Sequence, residues 1–261
     1  LGPVSFQPAE FVKICFVFFA ATMFYRSVDF RTVALTTGVA AAHVLVLVLS
    51  RDLGNALIFF LTYLFMLFVA TGKWLYLGSG LAAGCAASVA AYRLFPHVQR
   101  RVAAWRDPWS DVADTGYQIA QSLFAIGTGG WLGMGLGRGL PEKIPVVEED
   151  FMISAVAEEL GGLFAICLIL ICLGCFLQFM MIAVRMQAMF YKLIAFGLGC
   201  EYIVQVLLTV GGAVKFIPLT GVTLPLVSYG GSSVAGTFIL FSVIQGLYIL
   251  KRNEEEEDEE K

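Results

Sequence analysis

The chain has 261 residues, of which 59% are hydrophobic and only 14% are charged, and its mean hydropathy is +0.81. A soluble domain is about half apolar and about a quarter charged. The composition therefore excludes the soluble enzyme folds and predicts an all-α, polytopic integral membrane helix bundle. The net charge of −3 is unevenly spread, because seven of the 20 acidic residues lie in Glu254–Glu260 and leave 13 acids and 16 bases in Leu1–Asn253.

Seven apolar runs are long enough to cross a hydrocarbon core of about 30 Å. They predict helices near Ala9–Arg26, Thr32–Ser50, Gly54–Gly72, Trp74–Leu94, Phe151–Met181, Ala188–Gly212 and Leu226–Leu250. Residues 1–253 are thus predicted to form the membrane domain. Residues 254–261 are predicted to be an acidic, disordered tail, with docking to a partner as the alternative.

The connections between the runs predict the orientation of the chain. Most of them are short and basic, and the positive-inside rule places short basic loops and the acidic tail in the cytoplasm. The connection Phe95–Asp150 is long, and long loops cross the membrane regardless of charge. It is therefore predicted to be one large extracellular loop, of the kind that often carries function. Its Trp105 and Trp109 are either a docking surface or anchors at the membrane interface.

Three acids stand together where this loop meets the fifth predicted helix. Mutual repulsion and partial burial would raise the pKa of a carboxyl in Glu148, Glu149 or Asp150 toward that of a general base. An N-cap is the other interpretation, since Asp before a helix accepts backbone N–H bonds.

Other ionisable residues lie inside the apolar runs. Glu158, Glu159 and Glu201 are costly at membrane depth, so each is predicted to face a polar cavity or to bond to a neighbouring helix. Lys13 either pairs with Glu10 at (i, i+3) or binds an anion such as a pyrophosphate.

Several patterns do not indicate a cofactor. His43 and His97 have no second ligand at metal spacing, so no metal site is predicted. The stretch GTGGWLGMGLGRG at Gly127–Gly139 follows no strand and lacks GK[ST], so close-packed turns explain its glycines better than phosphate binding. No pattern indicates a nucleic-acid partner.

The last outside segment reads FIPLTGVTLPLVSYGGSS. Pro218 and Pro225 interrupt the helical pattern, and hydroxyl side chains follow where the chain re-enters the membrane. Irregular backbone at that depth is tolerated only where it is buried or lines a water-filled cavity.

The chain resembles the SEDS family, the RodA, FtsW and SpoVE polytopic proteins of bacterial wall synthesis. The matching stretches occur in family order: FQPAEFVK, DLGNALIFFLTYL, DTGYQIAQSLFAIGTGGWLGMGLGRG, IPVVEEDFMISAVAEELG and IPLTGVTLPLVSYGGSS. Family members resemble bundles of roughly ten helices, and this chain resembles the last seven, so an N-terminal portion is expected to precede it. It departs from the family at Glu148–Glu149, where His-Thr is common, and at Thr209, where Asn is frequent.

The resemblance implies a peptidoglycan glycosyltransferase that polymerises lipid II at the outer face of the bacterial cytoplasmic membrane, in elongation, division or sporulation. It implies Asp150 as the catalytic residue and a class B penicillin-binding protein as the partner. It also implies a substrate-binding set: Lys13, Gln118, Ser122, Ser228, Tyr229, Ser232 and Ser233. The leaving pyrophosphate would be stabilised by Lys13 or by a divalent cation such as Mg or Mn.

Two other functions stay open at this point. A lipid II flippase would depend on intramembrane acids such as Glu159 and Glu201 more than on Asp150. A scaffold for a penicillin-binding protein would need neither.

Overall fold

A computed structural model describes residues 6–114 and 116–259. In these ranges the chain forms eleven α-helices and one 3-10 helix, which confirms the all-α prediction. Their bounds are α1 Ala9–Arg26, α2 Phe30–Leu49, α3 Leu53–Thr71, α4 Trp74–Leu94, α5 Pro96–Arg106, α6 Tyr117–Gly129, the 3-10 helix Pro141–Lys143, α7 Val147–Asp150, α8 Met152–Glu159, α9 Gly162–Arg185, α10 Met189–Ala213 and α11 Gly231–Glu259.

Six of the described helices are long and apolar enough to cross a membrane: α2, α3, α4, α9, α10 and α11. The chain is therefore a multi-pass membrane protein. Helix α1 has the bounds predicted for it and the length of a short span, but its 18 residues include Glu10, Lys13 and Arg26. Charged residues within a span are costly unless they face protein, and Glu10 and Lys13 are indeed buried.

Three sequence predictions need correction. The predicted helix Phe151–Met181 is interrupted at Gly161, whose φ of +93° separates α8 from α9. The last helix begins at Gly231 instead of Leu226, because the backbone after Pro225 turns through a positive φ at Leu226. The region 95–150 is not a plain loop, since it holds α5, α6, α7 and the 3-10 helix.

The acidic tail also differs from its prediction. Helix α11 continues to Glu259, where the sequence predicted disorder. Arg252 Nε donates to Glu256 Oε1 at 2.7 Å, and an (i, i+4) ion pair of this kind supports an exposed helix weakly.

The chain divides into two compact units. The first comprises the described residues of Leu1–Gly80, Gly174–Val204 and Gly231–Lys261. In it α1 packs against α2, α3 and α11. The Phe16 ring lies 5.4 Å from that of Phe59 and 6.1 Å from that of Tyr63, and the Tyr63 hydroxyl shares hydrogen bonds with Thr36 and Thr37. Aromatic packing and interhelical hydrogen bonds are what hold helices together in lipid, where apolar burial gives no drive.

The second unit, Leu81–Leu173 and Gln205–Gly230, holds the region between the fourth and the ninth helix. Here α6 packs against α8. Its apolar core is formed by small and branched side chains around a fully buried ring: Ala125, Ile144, Phe151, Ile153, Ala157, Ala165 and Ala213. Because Phe151 directly follows Asp150, the burial of this ring fixes the backbone at the end of α7.

Candidate active site

Asp150 is the last residue of the short helix α7 in the second unit. The N-cap position of α8 belongs to Phe151, and no side chain makes a capping hydrogen bond there. The N-cap interpretation of Asp150 is therefore wrong: the carboxylate is not used to begin α8 and is left for other contacts.

The surroundings of Asp150 favour its protonated form. The side chain is half-buried, and this burial raises the pKa of the Asp150 carboxyl to about 6, with a further upward contribution from the adjacent Glu149 carboxylate. The Arg101 guanidinium opposes both and lowers the pKa of Asp150. A pKa near 6 leaves the carboxyl mostly deprotonated at pH 7 yet basic enough to take a proton.

Arg101 approaches Asp150 at Gly221. A Cβ added at Gly221 would lie 3.7 Å from an Arg101 guanidinium nitrogen and 3.8 Å from Asp150 Oδ2. Gly221 has a φ of +74°, a conformation that strains other residues. The glycine thus provides the turn that lets the backbone pass beside both charged groups.

Gly221 belongs to the irregular segment 214–230 between α10 and α11. Helix α5 holds this segment in place. Arg101 donates to the carbonyls of Leu219 and Thr220 at 3.3 and 3.0 Å. One turn later on the same face, Trp105 Nε1 donates to the Lys215 carbonyl at 3.1 Å. Trp105 is therefore engaged within the chain, while Trp109 is half-exposed.

Helix α10 satisfies the next carbonyls of the same segment. Thr209 Oγ1 donates to Val222 O at 2.9 Å, and Gln205 Nε2 donates to Thr223 O at 3.0 Å. Irregular backbone beside membrane-spanning helices must have its peptide groups satisfied, and side chains from α5 and α10 do so here. Thr209, which departs from the family's Asn, supplies one of these bonds.

Two of the predicted substrate-binding residues lie at the end of this segment. Ser228 is buried, and its Oγ accepts the Leu224 N–H at 3.0 Å, so it closes a turn. Tyr229 is 71% exposed, and its backbone N–H donates to the Glu148 carbonyl at 2.7 Å, two residues before Asp150. The segment is thus bonded directly to α7, and the Tyr229 ring stays available.

Helix α6 carries the other two predicted residues of this unit. Ser122 is fully buried, bonds to the Ser154 hydroxyl at 2.7 Å and donates to Ala213 O at 2.8 Å. These contacts give Ser122 a packing role between α6, α8 and α10. Gln118, in the first turn of α6, is half-buried, and its substrate role stays a prediction.

Lys13 and Glu201 meet in the first unit. Lys13 Nζ lies 3.1 Å from Glu10 Oε2 and 3.9 Å from Glu201 Oε1, and all three side chains are buried. The predicted (i, i+3) pair with Glu10 is therefore present, and Glu201 bonds to a neighbouring helix. Glu201 Oε2 has no hydrogen-bond partner among the described residues, which is unusual for a buried carboxylate. An anion-binding role of Lys13 stays a prediction.

The remaining predicted hydroxyls begin α11 in the same unit. Ser232 Oγ accepts the Gln7 N–H at 3.0 Å, just before α1. Ser233 is buried, and its carbonyl accepts the Thr237 hydroxyl at 2.8 Å. Both residues tie the start of α11 together, and their contact with substrate stays a prediction.

Glu158 and Glu159 hold the glycine-rich segment in the second unit. Glu159 Oε1 accepts the Gly137 N–H at 3.1 Å, and Glu158 Oε1 accepts the Leu140 N–H at 3.3 Å. A Cβ at Gly133 would lie 2.2 Å from the Glu159 carbonyl oxygen. Close packing therefore explains this glycine, as the sequence predicted.

Sequence reasoning missed Arg101 as a neighbour of Asp150. Arg100 and Arg101 are equivalent in sequence, and neither belongs to a recognised motif. Their difference arises from the helical rotation of α5, which leaves Arg100 exposed and turns Arg101 inward. Pro96 at the first position of α5 was the available signal for that helix.

Taken together, the fold and these residues define a class of protein: a polytopic α-helical membrane protein that carries a half-buried carboxyl of raised pKa in the region between two of its spans. The chain belongs to the FtsW/RodA/SpoVE family of cell cycle proteins, whose sequence pattern it matches over residues 1–253. The family resemblance read from the motifs is therefore confirmed.

Named relatives support this membership. Peptidoglycan glycosyltransferase RodA of Mycobacterium tuberculosis is 36% identical over 256 residues, which cover 92% of this chain and 55% of the relative. Probable peptidoglycan glycosyltransferase FtsW of Aliivibrio salmonicida is 36% identical over 262 residues, with coverages of 95% and 64%. The chain thus spans between about half and two thirds of the length of these curated relatives.

Solved structures have the same fold. A chain of a peptidoglycan synthase complex that coordinates polymerization and crosslinking superposes with a TM-score of 0.78 at 26% identity, covering 97% of this chain and 72% of that one. A mutant of the Thermus thermophilus rod shape determining protein RodA gives a TM-score of 0.63 at 24% identity, with coverages of 94% and 66%.

Proposed function

We propose that this chain carries the catalytic residue of a peptidoglycan glycosyltransferase that polymerises lipid II into glycan strands. The single observation that carries the proposal is Asp150, a half-buried carboxyl whose pKa of about 6 is raised by burial and Glu149 and lowered by Arg101. The names of the relatives support the reaction class.

Asp150 acts as a general base in this proposal. The hydroxyl oxygen of the acceptor sugar attacks the anomeric carbon of the donor, and the bond from that carbon to the pyrophosphate oxygen breaks. The proton of the hydroxyl passes to the Asp150 carboxylate. An α-linked donor thereby becomes a β-linked product in one displacement, so one carboxylate is sufficient and no covalent enzyme intermediate is needed.

The leaving pyrophosphate needs positive charge more than a proton donor. The family resemblance implies this part for Lys13, whose compact ammonium suits a phosphate. The described residues contain no group of three or more His, Cys, Asp or Glu side chains that could hold a metal ion without the substrate. No step is assigned to a metal.

The proposal places the reaction at the outer face of the bacterial cytoplasmic membrane, with the C-terminal tail in the cytoplasm. The partner is a class B penicillin-binding protein that crosslinks the strands. A similar fold in a complex that coordinates polymerization and crosslinking supports this partner. Co-purification from native membranes tests it, and recovery of a fully active protein without a transpeptidase would contradict it.

Polymer formation by the purified native-length protein with fluorescent lipid II tests the catalytic assignment. Asp150→Asn keeps the size of the side chain and removes the base, so we expect the rate to fall by about 100-fold or more with an unchanged melting temperature. Glu142→Gln is the matched control, because it removes one exposed carboxylate from the same region. Parental activity of Asp150→Asn would refute the assignment.

The same assay separates the two other functions. A flippase moves lipid II between leaflets without forming glycan, and a scaffold does neither. Glycan strands made by the wild type but not by Asp150→Asn therefore support only the enzyme.

A further inference from the structure

Two tight turns of the same kind lie close to the candidate site in the second unit. The first turn spans Ile144–Val147 and the second spans Leu224–Val227. In each turn the N–H of the fourth residue donates to the carbonyl of the first, at 3.2 and 3.1 Å. Each turn has proline in its second position and a residue of positive φ in its third, +52° for Val146 and +62° for Leu226. This is the pattern of a type II β-turn.

The residues in the third position of these turns are of an unusual type. That position requires a positive φ, so Gly or Asn normally occupies it, and a positive φ is an outlier for a β-branched residue such as valine. Side-chain packing does not explain the conformation, since Val146 is 51% exposed and Leu226 is 46% exposed. The residues that begin the two turns, Ile144 and Leu224, are buried instead. Their burial fixes the backbone, and strain of this kind persists only where the surroundings fix it.

One short backbone hydrogen bond connects the chain that leaves the two turns. The Tyr229 N–H donates to the Glu148 carbonyl at 2.7 Å. Glu148 comes two residues after Val146, and Tyr229 comes three residues after Leu226. Each left-handed residue therefore directs the chain toward one partner of this bond. The two turns and the bond together form a clamp between α7 and the segment 214–230.

The first turn leads directly into the helix that carries Asp150. Val146 is the N-cap residue of α7, and its carbonyl accepts the N–H groups of Glu149 and Asp150 at 3.1 and 3.2 Å. Helix α7 is only four residues long, so the backbone at Val146 sets its direction. The fully buried Phe151 holds its other end. A φ in the ordinary negative range at Val146 would turn α7 in another direction and carry the Asp150 carboxyl away from Arg101.

We infer that Val146 is a positioning residue, whose left-handed backbone directs α7 so that the Asp150 carboxyl is held in its half-buried place beside Arg101. Leu226 supports the same arrangement from the other side of the clamp. The side chain of Val146 has no polar atom, so it acts through its φ alone. The use of Asp150 in a reaction rests on the proposed function, whereas the clamp does not depend on turnover.

Amide hydrogen exchange of the purified native-length protein in nanodiscs tests the clamp without any substrate. Asn adopts a positive φ more readily than Val, so Val146→Asn should raise the melting temperature by about 2–4 °C and slow the exchange of the Tyr229 amide by about threefold or more. Val146→Pro fixes φ at about −65° and should speed that exchange by about tenfold or more. The Val146 N–H donates to no backbone carbonyl that the structure describes, so proline there changes φ without removing a backbone bond.

Rates of lipid II polymerisation between about pH 4 and pH 9 connect the clamp with the proposed reaction. Val146→Pro should lower kcat by about tenfold or more with little change in KM, because the base is misplaced. Its acid limb should move from about pH 6 down toward about 4, the ordinary pKa of Asp. Burial is the largest cause that raises the pKa of Asp150, and Arg101, which lowers it, contributes least. Val146→Asn keeps the left-handed φ and should retain the wild-type kcat and acid limb.

Arg51 is the matched control, because it is also an exposed residue of positive φ, +64°, but lies in the first unit. Arg51→Asn and Arg51→Pro should change the melting temperature and leave both the exchange of the Tyr229 amide and the acid limb unchanged. The inference is overturned if both Val146 variants exchange at Tyr229 as the wild type does, if the Arg51 variants change that exchange equally, or if Val146→Pro keeps the wild-type kcat and acid limb. A wild type that forms no polymer would instead refute the proposed function, and the exchange rates would still decide whether the clamp exists.

Discussion

Replacing Arg101 by Ala is expected to move the pH dependence of the reaction. Among the described residues, Arg101 is the one group that lowers the pKa of Asp150, whereas burial and Glu149 raise it. The two charged groups lie 3.7 and 3.8 Å from the same Cβ position at Gly221, so they are no farther apart than the sum of these distances. At about 6 Å and an effective dielectric of about 20 the interaction is ~3 kcal/mol. Because solvent reaches the half-buried Asp150 and screens this interaction, we take the effect of Arg101 on the pKa of Asp150 to be about 1 unit.

The direction in which the pH–rate profile moves follows from the role of Asp150 as a general base. Without Arg101 the carboxyl keeps its proton to higher pH, so its pKa rises from about 6 to about 7. A general base works deprotonated, and the acid limb of the rate profile should therefore move up by about 1 pH unit. The deprotonated fraction at pH 6 falls from about one half to about one tenth, a loss of about fivefold, whereas at pH 8 the rate hardly changes.

Initial rates of lipid II polymerisation measured between about pH 5 and pH 9 test this expectation. Arg101→Lys keeps the charge but loses the Nη1 group that donates to the Leu219 and Thr220 carbonyls, so its acid limb should stay near pH 6 while its melting temperature falls. Arg100→Ala removes the exposed charge of the preceding residue and is the matched control. An unmoved limb in Arg101→Ala, or an equal shift in Arg100→Ala, would refute the electrostatic argument.

Further expectations concern charge and packing. Glu149→Gln removes a contribution that raises the pKa of Asp150, so its acid limb should move to lower pH, and an upward shift would contradict this. Lys13→Met leaves two buried carboxylates without their shared cation, so it should lower the free energy of unfolding by about 3–5 kcal/mol. Thermal unfolding in detergent measures this loss, and Lys13→Arg should lower the free energy of unfolding by less. Gly129→Ala places a Cβ 2.0 Å from a carbonyl oxygen of α8 and should destabilise by about 1–3 kcal/mol; Gly127→Ala on the same helix meets nothing within 4 Å and should be neutral or stabilising.

The sequence predicted those parts of the fold that depend on membrane length and on apolar composition. Helices α1 and α4 have their predicted bounds, because an apolar run with clear ends determines them. Helices α5 and α6 were not predicted, since they are shorter than a span and α5 is polar. The break at Gly161 was also missed, because a single glycine in an apolar run rarely interrupts a helix. It does so here through contacts with residues about thirty positions away, including Trp131.

The residues proposed for the candidate site differ in how much of their surroundings the sequence could indicate. The acidic cluster of Glu148, Glu149 and Asp150 could be singled out because neighbouring acids are a local feature of sequence, and the choice of Asp150 among them rested on the family resemblance. Its neighbour Arg101 could not, since that contact joins α5 to the segment at Gly221 and depends on how both fold. The hydroxyls of Ser122 and Ser228 were expected at a ligand and instead bond within the chain. Sequence pattern cannot distinguish a polar group that awaits a ligand from one that already has a partner.

The glycine-rich segment after α6 has a consequence for the lipid headgroup layer. The N–H groups of Gly133, Met134, Gly135 and Gly137 are hydrogen-bonded to α6 or α8, and the carbonyls of Gly130 and Trp131 accept from the first residues of α9. The apolar side chains of this stretch consequently point outward, with Leu132 84% exposed and Trp131 72% exposed. The cost of placing a loop among headgroups is chiefly the dehydration of free peptide groups, and these peptide groups are already bonded. Trp131 and Leu132 can therefore partition into the interfacial layer, as tryptophans of membrane proteins commonly do, without the loop having to unfold or rearrange.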